Sequence, residues 1–285
     1  MSTSPDKKPQ SGSRMVVDDP WRELRRFTDA RIGLGRCGTS LPVSEWLDFR
    51  LSHARARDAV LAAFDAEGTA AKLREGGLET VILDSAAHDM QTFLVRPDLG
   101  RKLSSESHDR LAAWAQEHVP AGREPDITLV ISNGLSARAA HENAAAFALE
   151  FSRRAADAGF RMGPVIIVRN GRVAVADEAA SLVRSKITAI LIGERPGLSS
   201  PNSMGVYLTY GPHPGCTDEA RNCISNVRAG GLSIEEGVRK LCYLVQEAVR
   251  LKLSGVGLKD DMPQDYLPFV QKDVLESTGS ELPEN

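Results

Sequence analysis

The sequence is short of aromatic residues, at 5%, and carries only four cysteines among 285 residues. Cys37, Cys216, Cys223 and Cys242 contain no C-x-x-C pair, which removes the common redox and zinc spacings. His213, Cys216 and Cys223 match no usual zinc-ligand pattern and lack a fourth ligand, so free thiols in a reducing compartment are expected. An excess of one charge is also missing: 35 basic residues stand against 38 acidic ones, for a net charge of −3. Arg22, Arg25, Arg26 and Arg31 cluster, but Glu23 and Asp29 interrupt them, as on a solvated or partner-facing helix. A nucleic-acid partner, which needs a concentrated basic face, is therefore not expected. No apolar run is long enough to span a bilayer, so no membrane anchor is expected. Met1 to Gly12 is Ser-, Pro- and Lys-rich without an apolar secretory segment, which predicts a cytoplasmic protein. No internal repeat is present.

A chain of this length can bury a substantial core. Its pattern predicts a lead over 1–17, a helical region over 18–105, an α/β domain over 106–258 and a polar tail over 259–285. Asp19 before Pro20 reads as an N-cap followed by proline at the first helical position, with Trp21, Leu24 and Phe27 on one face. A second helix begins at Ser44 and carries Leu47, Leu51, Ala54 and Leu61 at helical spacing. Gly33-Leu34-Gly35-Arg36-Cys37-Gly38 spells G-x-G-x-x-G. It lacks the preceding strand and following helix of a dinucleotide site, and reads as a helix stop and reversal.

Strands are predicted at Ile127–Ile131, Pro164–Val168, Ile187–Ile192 and Val206–Tyr210, with an extended segment at Arg172–Ala174. Helices are predicted over Ser136–Ala158 and Asp177–Arg184. Ser233 and Glu236 form a capping box that opens a long helix bearing Val238, Leu241, Val245 and Ala248. This alternation predicts an α/β fold, with a Rossmann-like, mostly parallel sheet flanked by helices and preceded by the N-terminal helical segment. In the tail, Leu267, Phe269 and Val270 are candidate docking residues.

In open parallel sheets, ligands bind outside the carboxyl ends of the strands. Two loops meet that description. Ser132-Asn133-Gly134-Leu135-Ser136 leads into a helix N-terminus, which suits a phosphate or an amide. Gly193-Glu194-Arg195-Pro196-Gly197 places a carboxylate at the end of a buried strand. The residues alone are compatible with a nicotinamide, a flavin or a corrinoid, and Glu194 is equally compatible with an ordinary solvated loop carboxylate. A stand-alone nicotinamide or flavin oxidoreductase is the alternative enzyme class, though Ser132 to Ser136 lacks its glycine fingerprint.

Several longer words occur in fixed order. They include Arg25-Arg26-Phe27-Thr28-Asp29-Ala30-Arg31-Ile32, Arg96-Pro97-Asp98-Leu99-Gly100-Arg101 and Ile131-Ser132-Asn133-Gly134-Leu135-Ser136-Ala137. Leu191 to Ser200, Gly205 to Tyr210 and Arg221-Asn222-Cys223-Ile224-Ser225-Asn226 follow. From about Pro20 to Gly255 the chain resembles the ethanolamine ammonia-lyase small-subunit family. The resemblance implies a large catalytic partner subunit, adenosylcobalamin held between the two, and radical conversion of ethanolamine to acetaldehyde and ammonia. It carries the corrinoid-contacting positions onto Val173, Glu194 and Cys223 and places no catalytic acid or base in this chain. Without it, Val173 reads as a strand core residue and Cys223 as a small buried hydrophobe. Proteins that replace the lower base of the corrinoid with an imidazole use D-x-H-x-x-G. That word is missing here, which fits retention of dimethylbenzimidazole on cobalt. The family is also found in bacterial microcompartments, although Met1 to Val17 is too polar to form an obvious amphipathic targeting helix.

Overall fold

The computed structural model describes residues 15–269, and the chain divides at Arg55/Ala56 into two compact units. The outer parts of the predicted lead and tail, Val270 among them, lie outside the described residues.

In the first unit, the Asp19 side chain accepts the Trp21 N–H at 2.9 Å and opens a 3-10 helix, Pro20–Phe27. A glycine loop follows, pinned by paired hydrogen bonds between Val17 and Arg36 at 2.8 and 3.0 Å. Gly33, Gly35 and Gly38 all have positive φ, and no strand enters the loop, so the chain reverses here as the spacing predicted. Helix α1, Val43–Leu61, then begins, and its Glu45 receives a two-pronged contact from Arg25 at 3.0 and 2.8 Å. The helix carries Leu47, Leu51, Ala54 and Leu61 as their spacing predicts, with the three leucines exposed.

The second unit is built on a six-stranded sheet. The elements in chain order are α2 (Ala66–Glu75), β1 (Thr80–Asp84), α3 (Met90–Val95), α4 (Ser105–His118) and β2 (Ile127–Ser132). A short α5 (Ala137–Ala139) passes through a π turn, Ala140–Ala144, into α6 (Ala145–Asp157). Then come β3 (Val165–Arg169), α7 (Val175–Leu182), β4 (Ile187–Gly193), β5 (Met204–Tyr210), β6 (Arg221–Val227) and α8 (Ile234–Leu251). The strand order is β1-β3-β2-β4-β5-β6.

The expectation of a mostly parallel sheet is corrected. β1, β3, β2 and β4 pair in parallel, whereas β4 with β5 and β5 with β6 pair antiparallel, so the sheet is mixed. The reason is connection length. Residues 194–203 between β4 and β5 hold no helix, and a parallel crossover needs about a dozen residues or more. Two strands missing from the sequence reading, β1 and β6, form the edges.

Alternate residues of the central strands face opposite layers. Leu129, Ile131, Ile167 and Leu191 pack with Leu73 of α2, Phe147 and Phe151 of α6 and Leu241 and Val245 of α8. Val130, Ile166, Val168 and Ile190 pack with Leu111 of α4 and Val175 and Ala179 of α7. Ser233 caps α8 by accepting the Glu236 N–H at 3.2 Å, and the helix ends at Lys252 in the left-handed region. The tail docks through Phe269, whose ring centroid lies 5.4 Å from that of Phe160, and through Tyr266, while Leu267 stays exposed. No helix among the described residues is long and apolar enough to cross a membrane.

Candidate functional site

The carboxyl ends of β2, β3 and β4 share one rim, and buried polar side chains shape it. Asn133, fully buried after β2, accepts the Asn170 N–H on its Oδ1 at 2.7 Å. Asn170 follows β3 with φ 54°, a left-handed turn that asparagine tolerates better than most residues. The Ser132 hydroxyl oxygen accepts the Gly171 N–H at 3.0 Å, and the Ser85 hydroxyl donates to the Asn170 carbonyl at 2.7 Å. These contacts turn the chain directly into α7. Val173 therefore sits in the helix-opening turn, with the Ala176 N–H bonded to its carbonyl at 3.2 Å. The predicted extended segment Arg172–Ala174 is corrected accordingly.

The loop after β4 is held from the other side. The Glu194 N–H donates to the Ser203 carbonyl at 2.9 Å, and the Ser136 hydroxyl donates to the Pro201 carbonyl at 2.8 Å. Asn143, in the π turn, donates to the Asn202 carbonyl at 3.1 Å. Gly193 passes so close beneath the β2 loop that a Cβ there would lie 2.2 Å from the Ser136 carbonyl oxygen. The helix N-terminus after Ser136, a candidate anion site from sequence, is already engaged. Ser136 accepts the Ala139 N–H at 3.1 Å, and the Leu135 N–H donates to the Gly193 carbonyl at 2.9 Å.

Between the loops lies an open cleft of about 440 Å³. Val173 and Glu194 both line it, together with Phe93, Arg172, Arg195 and Tyr207. Cys223 does not line it. It stands on β6 directly opposite Tyr207, which does, and Ser225 on the same strand reaches the cleft. The structure thus joins Val173 and Glu194 in one cavity and sets Cys223 outside its lining, beside Tyr207 on the neighbouring strand.

The Glu194 carboxylate is positioned by its neighbours. Its Oε2 accepts the Ser203 hydroxyl and the Asn226 N–H, the latter at 3.2 Å. No hydrogen bond to Oε1 occurs among the described residues. Gly205 makes room for this arrangement, since a Cβ there would lie 3.0 Å from Glu194 Oε1. Across the cleft, the Arg172 guanidinium lies over the Phe93 ring at 4.1 Å and donates to the Phe93 carbonyl at 2.9 Å. Its Nε is buried without a hydrogen-bond partner among the described residues. Burial, then the nearby Arg101 and Arg195 charges, push the Arg172 pKa down. Cys223 presents accessible surface yet is crowded, and that desolvation raises its thiol pKa against the opposing hydrogen bond from Tyr207. Burial also raises the Tyr207 phenol, with Cys223 adding to the effect, so both groups are neutral at ordinary pH.

This wall offers an open carboxylate oxygen, the Arg172 and Arg195 side chains, an aromatic edge and main chain. That set suits a ligand that carries both hydrogen-bond donors and acceptors, such as primary amides. No histidine is among the lining residues. His213 and Cys216 do meet, Nδ1 to Sγ at 3.3 Å, in a separate loop. Sequence reasoning missed Arg172, Tyr207 and Phe93. Arg172 adjoins a named residue, Tyr207 lies in a recognised strand, and Phe93 sits far away in sequence with no local signal.

The family model for the ethanolamine ammonia-lyase light chain (EutC) matches residues 18–259. The "ethanolamine ammonia-lyase small subunit" of Pseudomonas fluorescens is 51% identical over 243 residues, covering 85% of this chain and 88% of the relative. The protein of that name from Pseudomonas putida is 50% identical over 244 residues, covering 86% and 89%. One from Xanthomonas campestris is 49% identical over 249 residues, covering 87% and 90%.

Proposed function

This chain belongs to the ethanolamine ammonia-lyase light-chain family, and we propose from that premise that it is the small subunit of an ammonia-lyase. In this reading a large subunit binds ethanolamine, and the present chain forms one wall of an adenosylcobalamin site between the two. Products are acetaldehyde and ammonia. Adenosylcobalamin, when bound, supplies carbon-radical chemistry through its cobalt–carbon bond.

The observation that carries this reading is the cleft itself, lined by two of the three residues proposed from sequence and leaving Glu194 Oε1 without a hydrogen bond among the described residues. A corrin periphery displays primary amides, each with an NH₂ donor and a carbonyl acceptor. Glu194 Oε1 would accept from such an NH₂, and the Arg172 and Arg195 side chains on the same cleft would offer donors to such a carbonyl. Main-chain groups around Val173 and the Tyr207 ring close against the periphery and exclude water. Cys223 supports Tyr207 from the adjacent strand as a neutral thiol. This chain binds and orients; it moves no proton of the substrate. The same wall provides no imidazole for cobalt.

The test is acetaldehyde release from ethanolamine and adenosylcobalamin by three preparations: this chain, its large subunit, and the two reconstituted. Turnover is expected only from the reconstituted pair. Full turnover by the isolated chain would overturn the assignment.

A further inference from the structure

We propose that residues 15–55 form the surface on which the large subunit docks. The inference rests on family membership and adds a partner surface that the cleft does not supply. Twelve of the nineteen exposed large hydrophobic side chains among the described residues fall between Met15 and Arg55. Within that segment only Pro42 is buried. A segment with almost no core of its own gains little from burial, and such concentration of exposed apolar groups marks an association surface.

Its composition identifies the kind of partner. Trp21, Phe27, Trp46 and Phe49 are interleaved with arginines, the pairing enriched at energetic centres of protein interfaces. Arg26 lies over the Phe27 ring at 4.7 Å, Arg50 over Trp46 at 4.7 Å and Arg31 over Phe49 at 5.9 Å. Along α1, Val43, Trp46, Phe49, Arg50 and His53 share one stripe at three- and four-residue spacing, with the Phe49 and His53 rings stacked at 6.3 Å. Seven arginines against six carboxylates over 15–55 leave the surface nearly neutral, which disfavours nucleic acid or an anionic membrane. The twelve side chains together expose on the order of 1,000 Å² of apolar surface, comparable with the ~800 Å² that one partner contributes to a standard interface. The relatives are named as small subunits, so a larger subunit of the same enzyme is the occupant to which this surface is assigned.

The experiment compares amide hydrogen exchange of the isolated full chain with that of the reconstituted two-subunit enzyme. Protection is expected to appear across residues 20–53 on assembly. Trp46→Asp and Phe49→Asp change exposed positions, so the isolated chain should keep its circular dichroism and melting temperature. Affinity for the large subunit should fall about tenfold or more. Unprotected 20–53 amides in an assembled, active wild-type enzyme would overturn the docking proposal and leave the ammonia-lyase reading standing. A homodimer of this chain that keeps the segment covered within the assembled enzyme would overturn it too. Failure of wild type to assemble with the large subunit would overturn both. If either variant disturbs the isolated fold, the wild-type exchange pattern alone decides.

Discussion

Glu194 is held between two structural donors with one oxygen left over, so its loss has two consequences that can be separated. Glu194→Ala removes the acceptor proposed for a corrin amide and also strands the Ser203 hydroxyl and the Asn226 N–H. One unpaired buried donor costs about 1–3 kcal/mol. Cobalamin affinity of the reconstituted enzyme is therefore expected to fall about five- to a hundredfold, and less for Glu194→Gln, with ethanolamine affinity nearly unchanged. Gly205→Ala tests the same position without removing any polar group. Its Cβ would press on Glu194 Oε1 and on the Tyr207 ring at 3.1 Å, so cobalamin affinity should drop while assembly, read by size-exclusion, stays normal. The place of Glu194 just past β4 was legible in the sequence because an apolar run stops abruptly there. Cys223 was not, since its strand carries mainly polar side chains, and its relation to Tyr207 depends on a register that only pairing sets. Arg172 declares itself only through its place on the cleft, which no sequence pattern records.

The elements behind the rim are tied by single polar contacts that make them testable. His141, in the π turn before α6, accepts the Asp65 N–H on Nε2 at 2.9 Å and stacks on Phe64. That role requires a neutral ring, and burial lowers its pKa below 6.5. As pH falls through 6.5 the unfolded chain takes up this proton before the folded one, so the contribution of His141 to stability is lost towards acid. Urea midpoints of the isolated chain should fall between pH 7 and 5, and His141→Gln should flatten that part of the slope. A second tie joins α7 to β6: Arg221 and Asp177, both buried, meet at 2.7 Å. Arg221→Ala leaves Asp177 buried without its cation and should cost about 3–5 kcal/mol in chemical denaturation. Adding Asp177→Asn should recover part of that loss. Capped helices were readable: Asp19 and Ser233 cap as their residue types predict. The edge strands were not. Val81-Ile82-Leu83 is too short for periodicity to tell strand from helix, and β6 buries every third residue, Arg221, Ile224 and Val227, which hides the strand period.

At the scale of the molecule, sheet direction was the feature the sequence withheld. The order of apolar runs identified an α/β chain, but only the helix-free stretch 194–203 shows that β4 must return as a hairpin, which brings β5 and β6 beside the rim. That return places Tyr207 and Ser225 at the cleft, completing a wall that a wholly parallel sheet would have left open. A cleft this open, with Glu194 Oε1 free of hydrogen bonds among the described residues, is a wall rather than an enclosing pocket. The central claim is therefore that cobalamin is bound by two chains together and that this one supplies the amide-pairing wall. Titration of adenosylcobalamin into the isolated chain, the isolated large subunit and the reconstituted enzyme, followed by the absorbance of the corrin, tests it most directly. Tight binding is predicted only for the reconstituted enzyme, and weakened binding for the reconstituted Glu194→Ala form. Binding by the large subunit alone as tight as by the complex, with Glu194→Ala indistinguishable from wild type, would contradict it.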